Sequence, residues 1–192
     1  MPRCDVAASY DILIAAPRER VWQELLRSDF SRSRVIQFLG RIRSLGRRRH
    51  QPEPSSPTLE KMASGGFLEL ARLQDQEIVI GVVGRFWRLD SGVCREWKPE
   101  EFTSLTPEGS AKAAWNFSLT ESGESTRLRT ETRVQCFGTA ARTKFLLYWL
   151  AIGWFSGWIR REILHLIKTQ SESEPASNQT PTSTTETLRQ NQ

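Results

Sequence analysis

The chain has 192 residues, 38% of them hydrophobic and 26% charged, which is the size of one domain able to bury a core or enclose a cavity. A mean hydropathy of −0.47 excludes a protein built mainly of membrane spans. The net charge of +5 is concentrated in one place, since Arg27 to Arg49 holds eight arginines and a single acid, Asp29.

Taken in chain order, Tyr10, Ile12 and Ile14 alternate onto one face and predict a strand over 10–15. Pro17 stands at a good first helical position. Val21, Trp22, Leu25 and Leu26 then recur at helical spacing, predicting a short amphipathic helix that ends near Ser28. A second helix is expected from about Ser31, with Val35, Phe38, Leu39, Ile42 and Leu45 as its apolar stripe and Arg34, Arg41 and Arg43 opposite. The Arg47–His50 run ends it, and the three prolines of 51–58 make a loop.

From Phe67 to Val134 the pattern is β. Strands are expected at Phe67–Leu73, Glu77–Leu89 and Val93–Trp97, with a kink or helical turn at Pro99-Glu-Glu. Gly81 and Gly84 within a strand suggest a bend or bulge. In Ser110–Thr120, Ala111, Ala113, Trp115, Phe117 and Leu119 share a face. In the next strand Thr126, Leu128, Thr130, Thr132 and Val134 share one, while Arg129 and Glu131 point the other way as a surface pair. This alternation marks an antiparallel sheet covered on one side. The cover is one long helix, about Thr139 to Lys168, with Phe145, Trp149, Ile152, Phe155, Ile159, Ile163 and Leu166 as its stripe. Residues 171–192 are polar and are expected to be disordered.

The expected fold class is therefore α+β: a curved antiparallel sheet wrapped around a long C-terminal helix, with two short helices after the first strand. The domain spans 1–170, with the basic helix and Pro-rich loop of 31–58 as an insertion. This order of elements resembles the START-like, or SRPBCC, helix-grip superfamily of lipid-transfer domains and polyketide cyclase/dehydrase-like proteins. Tyr10–Leu25, with its proline and Val-Trp pair, is similar to that group's first strand and helix. Gly84-Arg-Phe-Trp, Ala113-Ala-Trp-Asn-Phe and Thr130-Glu-Thr-Arg-Val are similar to segments of uncharacterised bacterial members. The resemblance covers about 8–168 and implies a cavity between sheet and helix. It leaves the ligand open, because that fold hosts many functions. The stretch between the first two strands is longer here than is usual for the group.

Several chemistries lack residues. His50 and His165 are the only histidines, and no Cys/His/Asp group has metal-ligand spacing, so no metal or cofactor is expected. Gly153-Trp-Phe-Ser156-Gly157 is not a nucleophile elbow, and its small residues suit close helix packing. No phosphate-binding glycine loop is present, and no catalytic residue is assigned. Cys4, Cys94 and Cys136 do not form a disulfide framework, and the N-terminus lacks a signal peptide, which together suggest the cytoplasm. The uncharged run Phe145–Ile159 is 15 residues long, short of the roughly 20 a span needs, and reads as a core helix.

The aromatic content is the main pointer to a pocket. Phe86, Trp115, Phe117 and Trp149 are expected to converge between sheet and helix with Ile152, lining a cavity for a flat or greasy ligand or else filling a solid core. Thr130 and Thr132 either orient that ligand through their hydroxyls or pack their methyl groups. Arg85, if a bulge turns it inward, is a polar anchor for a carboxylate or phosphate. The leading expectation is a non-enzymatic carrier of a hydrophobic small molecule or lipid. The second is a cyclase/dehydratase-type lyase or isomerase, which needs Arg85 or Glu131 facing the cavity. The third is contact with an anionic membrane or with nucleic acid through Arg41, Arg43, Arg47, Arg48 and Arg49, and nucleic acid is disfavoured by the lack of interleaved aromatic residues.

Overall fold

The computed structural model describes residues 1, 3–28, 66–88, 92–94 and 96–173. The expected basic helix, the Pro-rich loop and the tail from 174 onward lie outside the described residues. Strand β1 (Val6–Ile14) is followed by helix α1 (Arg18–Arg27). Then come β2 (Leu68–Leu73), β3 (Glu77–Gly84), β4 (Val93–Cys94), a 3-10 turn at Pro99–Glu101, β5 (Ala111–Ser122), β6 (Ser125–Cys136) and helix α2 (Thr139–Glu172). The six strands form one antiparallel sheet in the order β1-β6-β5-β3-β2, with β4 also paired to β3. The expected α+β architecture is the observed one: a curved, unclosed sheet with a long C-terminal helix and a short helix after the first strand.

The strand alternation works as predicted. Leu128, Thr130, Thr132, Val134 and Cys136 of β6 are buried, while Arg127 and Arg129 are exposed. Glu131 pairs with Arg133 at 2.7 Å and Arg129 at 3.7 Å on the outer face. Gly138, at φ 91°, turns the chain from β6 into α2, a conformation that costs a glycine little. Asp5 joins three elements there: its carboxylate accepts from the Cys136 amide at 2.7 Å and pairs with Arg142 of α2 at 2.7 Å.

Two predicted strands are shorter than expected. β3 stops at Gly84 rather than Leu89, because the Arg85 amide bonds the Gly92 carbonyl and Gly84 lies directly against that backbone. A side chain at position 84 has no room, so the chain turns through Phe86 and Trp87. β4 ends at Cys94 because Trp97 folds back, donating Nε1–H to the Cys94 carbonyl. The irregularity expected at the glycines of β3 lies in β2 instead: the β2–β3 register shifts between Glu69 and Ala71, opposite Ile80 and Val79, and the Leu70 side chain lies over Gly81.

That bulge feeds a second, smaller core on the sheet's outer face, where Val83, Trp97 and Phe102 are buried with Leu68, Leu70 and Leu105 against them. Lys112 closes it. Its ammonium donates to the carbonyls of Phe102, Thr103 and Leu105, each at 3.0 Å, and sits between the Phe102 and Phe137 rings. Burial lowers its pKa, and the carbonyl bonds offset the lost hydration.

Helix α2 runs past the predicted end near Lys168, to Glu172. Three anchors explain this. Gln170 accepts from the Ser28 hydroxyl at the end of α1, Glu172 accepts from the Ala15 amide at 2.7 Å, and Ser171 is buried. The start of the expected tail is thus part of the domain. The buried stripe of α2 is also rotated from the predicted one: Phe145 and Ile163 are buried, but the other fully buried positions are Ala141, Gly157, Arg160, Leu164, Ile167 and Ser171. Phe155, Ile159 and Leu166 are only partly covered.

Candidate functional site

The interior between sheet and helices divides into two apolar clusters. One holds Ile14, Trp22, Leu25, Ile78, Phe117, Leu128 and the C-terminal half of α2 through Ile163, Leu164 and Ile167. The other holds Val82, Ala113, Val134 and Phe145, with Phe86, Trp87 and Trp149 packed on it. The expected convergence of Phe86, Trp115, Phe117 and Trp149 is therefore split. Phe86 meets Phe145 edge-on with centroids 6.3 Å apart, and Trp149 stacks on Phe145 at 5.8 Å. Trp115 and Phe117 are paired with each other, at 5.0 Å, in the first cluster. Ile152 is half-buried on α2.

A polar seam runs between the clusters. Sheet register sets two rungs: Tyr10–Thr130–Phe117–Ile78 and Ala8–Thr132–Trp115–Ile80. Thr130 and Thr132 face inward, as the alternation predicts, and both are buried. The Trp115 indole N–H donates to Thr130 Oγ1 at 2.6 Å, and that hydroxyl donates on to the Asn116 carbonyl at 2.9 Å. Thr130 is thus saturated by the protein, whereas Thr132 serves a residue from α2.

That residue is Arg160, which is only 7% exposed. Its Nε donates to Thr132 Oγ1 at 3.2 Å, and Nη1 donates to Ser156 Oγ, one helical turn back, at 2.6 Å. Among the described residues no carboxylate lies within ion-pair distance, and Nη2 has no protein acceptor. Burial lowers its pKa, and nearby Tyr10 opposes that shift. This largely buried guanidinium is held by two neutral hydroxyls, and its Nη2, which keeps contact with solvent, is the donor an anion would meet. Tyr10 helps set the position. Its hydroxyl lies too close to Gly157 to leave room for a Cβ there unless the tyrosine shifts, and its ring carries Arg161 at 5.2 Å.

Arg85, the expected anchor, is exposed in the turn after β3 and does not face the interior. Glu131 also points outward. Arg41, Arg43, Arg47, Arg48 and Arg49 lie outside the described residues. Arg160, Ser156 and Tyr10 were not assigned a role from the sequence. A signal existed: stepping from Phe145 by helical turns through 149, 152 or 153 and 156 reaches 160, which puts an arginine on the covered face.

A concavity of about 310 Å³ opens on the outer sheet face among Glu77, Val79, Ala114, Asn116, Glu131 and Arg133. Its polar groups already satisfy one another. Asn116 donates to Glu77 at 2.6 Å and accepts from the Glu131 amide at 3.0 Å, and Arg133 holds Glu131. A ligand there would have to displace those bonds. Among the described residues no group of three metal-binding side chains occurs, and no helix is long and apolar enough to cross a membrane.

No protein-family model matches the chain, and no curated protein matches it. Among solved structures it is similar to TTHA0849 of Thermus thermophilus, at 11% identity and TM-score 0.33, covering 86% of this chain and 97% of that one. It is also similar to the hypothetical protein jhp0584 of Helicobacter pylori, at 12% identity and TM-score 0.39, covering 88% and 89%. At such identities and scores these likenesses bear on neither ligand nor reaction.

Proposed function

We propose that the chain binds an amphipathic small molecule or lipid between sheet and α2, with an anionic group on Arg160 and an apolar body against the aromatic side chains. The observation that carries this reading is the buried guanidinium with no acid beside it among the described residues. Structural arginines at such depth are ordinarily paired, because an unpaired buried charge costs on the order of several kcal/mol. Half-buried Trp115 and Trp149 flank the seam and supply apolar surface. The START-like resemblance is consistent with carriage of an apolar ligand, and a cytoplasmic location is part of the reading.

The cyclase/dehydratase alternative draws no support from the two residues it needs, since Arg85 is exposed and Glu131 faces outward. Native mass spectrometry of the full chain purified from its own host tests carriage. A retained organic acid or acidic lipid is expected, lost from Arg160→Met. A protein that carries no ligand and takes up no anionic amphiphile contradicts the proposal.

A further inference from the structure

Five large apolar side chains of α2 are exposed: Leu146 at 40%, Leu147 at 64%, Leu150 at 81%, Trp154 at 78% and Trp158 at 48%. At 100° per residue they form one stripe on the side of the helix opposite Phe145. A contiguous surface of this kind marks a contact site. Its charges and aromatic residues point to the partner. Arg160 is buried and Arg142 is paired with Asp5, which leaves Lys144 flanking the start of the stripe and Arg161 within the arc at its end, with exposed Glu162 beside it. Trp154 and Trp158 are the residues that favour the headgroup region of a bilayer.

We infer that this face of α2 docks on an anionic lipid surface, with the helix lying in the membrane plane. The stripe from Leu146 to Trp158 is about 18 Å long, too short to span, and the opposite side of the helix is fastened to the sheet. The inference rests on a different surface from the Arg160 seam and stands independently of the ligand reading. It also differs from the expected contact through Arg41–Arg49.

The test is flotation of the full chain with vesicles of phosphatidylcholine alone or of phosphatidylcholine and phosphatidylglycerol in equal parts. Binding to the anionic vesicles only is expected, with a blue shift of tryptophan emission. The double variant Leu150→Ser/Trp154→Ser, at two exposed positions, is expected to lose at least about tenfold in partitioning. Lys144→Glu/Arg161→Glu is expected to lose it with retained fold, checked by circular dichroism. No binding to anionic vesicles overturns the inference. So does binding that both variants keep while Arg47→Ala/Arg48→Ala/Arg49→Ala abolishes it. A wild-type dimer in sedimentation that Leu150→Ser/Trp154→Ser dissolves would assign the stripe to self-association and overturn it likewise.

Discussion

Arg160 of α2 donates through Nε to the hydroxyl of Thr132 on β6, 3.2 Å away, so the helix and the sheet's interior face are joined by a charge whose acceptors among the described residues are neutral hydroxyls. This bond ties the fold to its proposed use. The interior would be drier and simpler with an aliphatic side chain at 160. Arg160→Met therefore keeps the unfolding free energy within about 1 kcal/mol of wild type, because relief of the buried charge offsets the two lost hydrogen bonds. Urea unfolding measures it. A loss of more than about 3 kcal/mol would make the guanidinium a structural member.

Gly157 and Tyr10 set the closeness of helix and strand. In Gly157→Ala the new methyl meets the Tyr10 hydroxyl inside van der Waals contact, so the tyrosine must shift. A gain of about 1 kcal/mol in helix propensity is outweighed by overpacking, for a net loss of about 1–3 kcal/mol. Tyr10→Phe removes the obstructing oxygen, so the double variant recovers most of the loss. Additive losses in a double-mutant cycle would show that the two residues do not compete for this space.

Thiol chemistry reads the packing of the β6–α2 corner. Cys4 and Cys94 are exposed, while Cys136 is buried. Burial, reinforced by Asp5 and opposed by Arg142, pushes the Cys136 thiol up to about 11. Iodoacetamide at mildly alkaline pH is expected to add two groups to the native chain and three in denaturant, counted by intact mass. Because the folded value is raised, this thiol's contribution to stability is complete below the unfolded pKa and fades as pH rises through about 11. Rapid native labelling of all three would contradict the buried assignment.

Glu172 fastens the end of α2 to the β1–α1 corner. Its carboxylate accepts from the Ala15 amide and pairs with Lys168 at 2.9 Å, which holds its pKa below the usual carboxylate value. The contribution is therefore present above the unfolded pKa and lost as pH falls through the lower folded one. The group is partly exposed, so Glu172→Gln costs under about 1 kcal/mol at neutral pH. The difference from wild type shrinks in acid. Urea midpoints across that range test the sign, and a gap that widens in acid would refute it.

Much of this architecture is legible in the residues because one face of each long strand is covered. The alternation in Ala111–Leu119 and Thr126–Val134 states both the strands and their inward set. What escapes is non-local. Gly84 ends β3 through contact with Gly92, and Trp97 bends toward an outer-face core that no single segment announces. The aromatic side chains were expected in one group, but Thr130 and Thr132 with Arg160 divide them. Arg160 itself reads in sequence as the charged flank of an uncharged run. Only the position of the helix over β1 and β6, set by Tyr10 against Gly157, turns it inward.

Calorimetric titration of the full chain with a long-chain fatty acid and with the alcohol of equal length, on wild type and Arg160→Met, addresses the ligand reading most directly. The wild type is expected to prefer the carboxylate by about ten- to a hundredfold, the worth of one charge-assisted hydrogen bond, and Arg160→Met to bind both alike. Equal affinity of the wild type for acid and alcohol, or a preference that survives Arg160→Met, would contradict it.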